Sequence, residues 1–511
     1  MYDSRQKTLT VERFSHKIEI MSKKSLTTSF LFLIIAEVIF NISGYIIHAG
    51  LGRILGVADY GRYSLVIGFT TMIIVLFGRG IPTAMAKRMS EKKDDWQLIT
   101  AVKKTAIRLQ FFTITLLTFI FYFSSPYLAQ IFGDESLTPL FQLSTFIIPA
   151  FALSSFHVLY FNGLKAFGAM SIMKISRGIF RVLWIIGLAY YFSLDGAFYG
   201  AIFAPLSVFF VALIIDFFFI EKPVEDQNKP LKAYPVKKVI LYAGGFMAFL
   251  FFYEFFIRVD IFMIKALLHD DALTGLYNAA LTIALIPYSL LIALSFLLFP
   301  TISHLSANNH TEKAKTLISQ VLRLLFIFLL PLAALMDVYA QPIIVLVFGQ
   351  DFAPAAEFLP LLLGGTIFGA FFYILAAIFN GAGKTKIPAT IAGLGLTSAI
   401  ILNLYFLPLY GDPRITAVIF SFNAFFMGIA SLFFAYKVFD AKISRYTVAK
   451  VLVSILLLTI IAPYLPGEGL WFLLSSTLLF AIYIITLIFL KEFTKKDLVV
   501  FKDLKKKKNE K

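Results

Sequence analysis

The feature that most limits what this chain can fold into is its succession of long apolar runs. Apolar segments of about 18 or more residues recur from one end of the 511-residue sequence to the other. Each is long enough to cross a hydrocarbon layer of roughly 30 Å as a helix. The runs fall near 27–50, 60–78, 104–123, 137–162, 172–192, 196–219, 239–267, 273–299, 317–336, 355–380, 387–408, 415–436, 447–464 and 469–490. Hydrophobic residues make up 59% of the chain and charged ones 15%, against roughly a quarter charged in an ordinary soluble domain. The expected fold class is therefore an all-α polytopic membrane protein with about 14 transmembrane helices.

Composition also removes whole classes of chemistry. Cysteine is absent, so disulfides and thiolate metal sites are excluded, and the six histidines are scattered with no His-Glu-x-x-His arrangement. No metal site, no cofactor and no zinc or triad enzyme is expected. The first 25 residues are polar and basic and lead into a full-length apolar run, unlike a cleavable signal peptide.

The net charge of +16 is not distributed like a nucleic-acid footprint. Positive residues crowd the N-terminal tail and then alternate connections: Lys87 and Arg88; Lys165, Lys174 and Arg177; Lys222 to Lys238; Lys313 and Lys315; Lys384 and Lys386; Lys437 and Lys442; and finally Lys505 to Lys508. The intervening connections carry Asp134, Glu135, Asp195, Asp270, Asp271, Asp351 and Glu468. This is the positive-inside bias, which implies both termini in the cytoplasm and an even number of spans; a multi-pass protein of the cell (plasma) membrane is expected. The basic tail is expected to meet membrane lipids, and no nucleic acid is expected as a partner.

One stretch, "FNGAGKTKIP" (Phe379–Pro388), ends like a nucleotide-binding loop, but Ile378 stands where the first glycine is required and a long apolar run precedes it. A second copy explains it better. "FNGLKAFGAM" (Phe161–Met170) matches it at a shift of 218 residues, and Pro82-Thr83 matches Pro300-Thr301 at the same shift. Near the starts of the halves, Glu37 and Glu254 differ by 217, as do Asn41 and Arg258. The expected organisation is a cytoplasmic tail (1–25), an N-lobe of helices 1–6 (26–220), a cytoplasmic linker (221–238), a C-lobe of helices 7–12 (239–438), helices 13–14 (446–490) and a basic cytoplasmic tail (491–511). Six spans per half is even, so the two six-helix repeats are parallel and the substrate site is expected between them.

A charge at the bilayer centre costs at least ~2.5 kcal/mol, so each one in a span asks for a reason. The seventh run holds Glu254, Arg258, Asp260 and Lys265, with Arg258 and Lys265 on the helix face of Glu254. In the first run Glu37, Asn41, Tyr45 and His48 form a similar stripe. Glu254 and Arg258 can simply neutralise each other as an i, i+4 pair; the parallel stripe in the first run, where Glu37 has no cation on its own helix, favours a polar cavity instead. Asp216, near a span end, is expected to snorkel. His157 reads as a core group, and Asn162 and Asn380 as helix-end caps. Asn309 forms a glycosylation triplet that the charge bias places in the cytosol.

At this point the chain resembles a known family. "GLGRILGVADYGRYSL" (Gly50–Leu65) and the repeated links "FNGLKAFG" and "FNGAGKTK" look like those of polysaccharide-type, lipid-linked-oligosaccharide flippases in the multidrug/oligosaccharidyl-lipid/polysaccharide exporter superfamily. The six-plus-six-plus-two plan resembles theirs too. The resemblance implies transport of a polyprenyl-(di)phosphate-linked oligosaccharide from the cytoplasmic to the outer leaflet by alternating access, in concert with glycan assembly machinery. It also implies a central cavity with Arg53, Arg258 and Lys265 facing the headgroup, joined here by Asn41 and His48. Glu37, Glu254 and Asp260 are the candidates for coupling to a proton or sodium gradient. Glu37 and Asn41 stand where lipid II flippases are expected to carry arginine, which makes lipid II a poorer cargo. A multidrug and toxin exporter, which would stop at twelve helices, and a membrane-embedded sugar polymerase or ligase, which would need larger outer loops, remain as alternatives.

Overall fold

A backbone surrounded by hydrocarbon has no water to bond to, so it closes its hydrogen bonds internally. The computed structural model describes residues 26–78, 80–91, 95–218, 220, 236–308 and 310–492, and among them it contains helices and turns and no strand. Ten helical stretches among these residues are long and apolar enough to cross a membrane. The expected tail 1–25, residues 221–235 of the linker, Asn309 and the tail beyond Glu492 lie outside the described residues. The described chain forms two compact units: one runs to Arg258 and includes His269–Gly275, and the other holds Val259–Leu268 and the residues from Leu276 onward.

In the first unit, α1 (Leu26–Ile73) covers two of the apolar runs and breaks between them at Gly56, whose φ of 74° is left-handed. A π-helical turn, Ile74–Gly78, leads toward α2 (Gly80–Glu91). Pro82 has no N–H to give the carbonyl of Gly78, four residues back. That carbonyl accepts from Gln110 Nε2 and Ser155 Oγ instead, each at 3.4 Å. α3 (Trp96–Ile131) starts at Asp95, whose carboxylate accepts from the Leu98 amide at 3.0 Å. α4 (Leu137–Thr145) and α5 (Ile147–Gly163) share one apolar run. α6 (Phe167–Arg181) continues through a second π turn into α7 (Gly187–Phe218), which breaks at Phe192–Ser193. Met85, Met89, Val102, Phe156, Phe161 and Val208 form its core.

The same unit contains a backbone-on-backbone contact. A Cβ on Gly61 would lie 2.0 Å from the Asp271 carbonyl oxygen, and one on Gly275 would lie 2.1 Å from that of Val57. Beside this contact Arg62 is gripped by Asp271 at 2.8 Å, with Asp59 and Asp134 at 3.8 and 3.9 Å.

α8 (Val236–Leu268) gives its last ten residues to the second unit, and α9 (Asp271–Ala284) enters that unit at Leu276. α10 (Ile286–Ala307), α11 (Thr311–Val338) and α12 (Ala340–Phe348) follow, then a 3₁₀ segment and α13 (Phe358–Gly381). α14 (Lys386–Tyr410), α15 (Arg414–Phe439), α16 (Arg445–Ile461) and α17 (Trp471–Phe489) complete it. Pro331 inside α11 frees the carbonyl of Ile327, and the Tyr483 hydroxyl of α17 donates to it at 2.7 Å. Glu492, just past α17, accepts from Arg323 Nε at 2.9 Å and Thr447 Oγ at 2.7 Å, with Lys450 Nζ at 3.3 Å. Burial works to raise the Glu492 carboxyl, but the bonds from Thr447, Arg323 and Lys450 outweigh it and hold the group below its usual value.

The two "FNG" links have the same backbone. After α5, the amides of Leu164, Lys165 and Ala166 bond to the carbonyls of Tyr160, Asn162 and Phe161 at 3.1, 3.0 and 2.9 Å. After α13, those of Ala382, Gly383 and Lys384 bond to Ile378, Asn380 and Phe379 at 3.0, 3.1 and 2.8 Å. Each turn closes on a left-handed residue, Lys165 (φ 59°) or Gly383 (φ 76°). These amides close a helix end, so they are not turned outward to cradle a phosphate. The caps are backbone groups: Asn380 is 6% exposed, and its side-chain oxygen and nitrogen have no hydrogen-bond partner among the described residues. Asp216 does not snorkel; it pairs with Lys103 at 3.1 Å, and that ammonium also sits 3.7 Å from the centre of the Tyr160 ring.

Candidate functional site

The expected site residues divide between the two units. In the first unit α1 and α6 run side by side in the same direction. Lys174 meets Glu37 at 2.5 Å, Gly178 lies against Ile39 and Ser43, and the Arg181 guanidinium lies over the Phe40 ring at 4.7 Å, close to Gly44. Lys174, Arg177 and Arg181 are spaced i, i+3, i+7, which puts them on one side of α6. Arg177 donates to Ser154 Oγ on α5 at 3.0 Å and covers the Phe151 ring. Arg181 has no carboxylate partner among the described residues.

This corrects one expectation and completes another. Lys174 and Arg177 are helix-face residues inside the α6 rod rather than charges of the preceding link. Glu37, which lacks a cation on its own helix, has one from α6. The spacing of 174, 177 and 181 is visible in the sequence, but the pairing across 137 positions is not.

The remaining first-unit candidates lie along α1 and α8. Asn41 is half-buried, and His48 shares a 2.9 Å hydrogen bond with the hydroxyl of fully buried Tyr60. Arg53 is exposed, one turn before the break at Gly56. Glu254 and Arg258 form the i, i+4 pair at 3.6 Å, both about 30% exposed.

The second unit holds the other two. Asp260 is 0% exposed and Lys265 2%, so Lys265 is a core residue of that unit and does not share the half-exposed setting of Glu254 and Arg258. Asp260 accepts from the Tyr277 hydroxyl of α9 at 2.6 Å, and the Asn403 amide nitrogen of α14 stands 3.5 Å away. Among the described residues no cation pairs with Asp260. Asn403 bonds its amide nitrogen to Ala399 O at 2.9 Å, and its own carbonyl oxygen is buried without a donor. Tyr277 stands 217 residues after Tyr60, the partner of His48, so a tyrosine early in the helix after a break serves the preceding helix in both places. That offset was the available signal for Tyr277; nothing in the sequence pattern marks Asn403.

All-α architecture, long apolar helices and charge-bearing clusters inside spans define a polytopic membrane transporter fold. The family model for "Polysaccharide biosynthesis protein" matches residues 26–306, just over half of the chain, and the model named MatE matches 244–405. The chain belongs to the polysaccharide biosynthesis protein family, within the multidrug/oligosaccharidyl-lipid/polysaccharide exporter superfamily. It is 24% identical over 401 residues to an uncharacterized membrane protein, YabM, of Bacillus subtilis (strain 168), covering 74% of each chain. Its fold is similar to that of the lipid II flippase MurJ in an inward closed conformation, at TM-score 0.70 and 17% identity over 90% of this chain and 99% of the other. An inward-facing multidrug resistance MATE transporter aligns at TM-score 0.62 and 14% identity, over 80% and 98%.

Proposed function

We propose that the protein translocates a polyprenyl-(di)phosphate-linked oligosaccharide from the cytoplasmic to the outer leaflet of the plasma membrane by alternating access, supplying glycan assembly. The observation that carries this reading is the charge of the first-unit cluster. Along α6, Lys174, Arg177 and Arg181 face Glu37 with three positive charges against its one negative, so this face suits an anionic headgroup and suits an organic cation poorly. Guanidinium groups grip phosphate oxygens in pairs, and aromatic neighbours such as Phe40 and Phe151 hold the arginines without neutralising them.

The organisation proposed for this cycle is two parallel six-helix lobes, 26–220 and 239–438, with helices at 446–490 added and both termini cytoplasmic. The 218-residue spacing of the two equivalent turns supports it. For coupling, Asp260 is the best supported of the three carboxylates, because Glu37 and Glu254 each have a cation and Asp260 has neutral donors. Asp260, with the vacant carbonyl oxygen of Asn403, would accept a proton or a sodium ion, and the bound charge would be supplied by the membrane gradient.

The test is reconstitution of the full chain in vesicles with a polyprenyl-diphosphate oligosaccharide, measuring its exposure in each leaflet under imposed proton or sodium gradients. Gradient-dependent translocation above that of protein-free vesicles is the expected result. Movement of organic cations with no movement of the lipid would favour the exporter reading instead.

A further inference from the structure

The Glu37–Lys174 pair lies at the start of the cationic face of α6, the face that the flippase reading offers to a headgroup phosphate. Lys174 opens the cationic face of α6; Arg177 and Arg181 follow it one and two turns on. Arg177 is tied to Ser154, and Arg181 faces the Phe40 ring. Lys174 pairs with the Glu37 carboxylate, which comes from a helix that runs alongside α6 in the same direction. Both partners are mostly shielded, with side chains 14% and 20% exposed, so their attraction is weakly screened.

We infer that Glu37 is a built-in competitor for the anionic headgroup: it occupies Lys174 when the carrier is empty and yields that lysine to a lipid phosphate when the carrier is loaded. This rests on the flippase reading above. Three cations packed along one helix face repel each other in a low-dielectric setting, and Glu37 relieves that repulsion while no cargo is present. An arriving phosphate takes over the same role. When the cargo leaves, Glu37 returns to Lys174, so the site does not hold an anion indefinitely. Glu37 thus sets the balance between capture and release, a role separate from coupling to the gradient.

The experiment measures binding of two probes to the purified full chain in lipid nanodiscs: inorganic pyrophosphate and geranylgeranyl diphosphate. Glu37→Gln is expected to tighten both by about tenfold, the factor that corresponds to ~1.4 kcal/mol of pair energy, and to slow lipid translocation in reconstituted vesicles. In Glu37→Gln/Lys174→Gln the gain should vanish, because the released lysine is no longer there. Exposed Glu357→Gln removes the same charge from the second unit and should leave both affinities unchanged. If Glu37→Gln binds both probes as the parent does, or if the gain persists without Lys174, the competitor idea is overturned while the flippase reading stands. Tightening of pyrophosphate alone would make the site one for free phosphate and overturn the lipid assignment. If neither probe binds parent or variants, the anionic-headgroup reading itself falls, and the inference with it.

Discussion

Two shielded carboxylates in this molecule have opposite company. Glu37, in the first unit, faces the Lys174 ammonium at 2.5 Å; Asp260, in the second, faces the Tyr277 hydroxyl at 2.6 Å and an asparagine, with no cation beside it among the described residues. The first is held by charge and the second by hydrogen-bond geometry. A charge-held carboxylate can exchange one ionic partner for another, as a carrier of anionic cargo requires. A carboxylate held by neutral donors can gain or lose a small cation without an opposing charge to displace. If Glu37 and Asp260 act as proposed, cargo handling and energy input rest on different residues.

The largest effect that would break this comparison is expected from Asp260→Asn. If Asp260 carries the coupling, gradient-driven translocation falls on the order of ten- to a hundredfold, while gradient-free equilibration of the lipid survives; flux in vesicles with and without the gradient checks it. Retained gradient dependence would make the two carboxylates equivalent. Next comes Lys174→Gln, which leaves Glu37 without its cation. A loss of about 1–3 kcal/mol of stability is expected, below the cost for a fully buried pair because both side chains keep some exposure, and thermal unfolding in detergent reads it.

Tyr277→Phe removes one hydrogen bond from Asp260 and leaves the ring in place. It should cost about 1–2 kcal/mol and shift the ion concentration at half-maximal transport, whereas Tyr60→Phe should leave that concentration alone. The smallest effects are expected where the two units are most alike. Gly383→Ala forces a Cβ into a left-handed turn at a cost of about 1 kcal/mol, and Lys165→Gly relieves the same conformation in the other turn by up to about 1 kcal/mol. Opposite signs in a melting assay would mark the turns as one motif carrying different residues.

The all-helical membrane fold was legible because hydrocarbon imposes a length and a polarity on each run, and both are written in consecutive residues. The breaks were legible where the residue itself makes them. Gly56 falls between two apolar runs, and the "FNG" links announce their turns by repetition. The sites were legible only in part. Glu254 and Arg258 are four residues apart on one helix, so their pairing follows from spacing. Glu37 with Lys174, and Asp260 with Tyr277 and Asn403, are joined by packing between helices, which no single-helix periodicity encodes. Lys265 shows the converse: helical spacing put it on the face of Arg258, yet it is a buried core residue of the other unit.

The bond from Tyr483 to Ile327 makes the final helices part of what holds α11 together. Pro331 weakens α11 at a carbonyl that no residue of its own helix can serve, and the donor that repairs it belongs to α17. Glu492 adds a second fastening at the end of the same helix. A chain cut after α15 would expose a polar atom to lipid, at a cost of about 1–3 kcal/mol, and lose the anchor at Glu492 as well. Helices that read as an appendix in the sequence act as a splint, and any minimal version of this carrier would first have to replace Pro331.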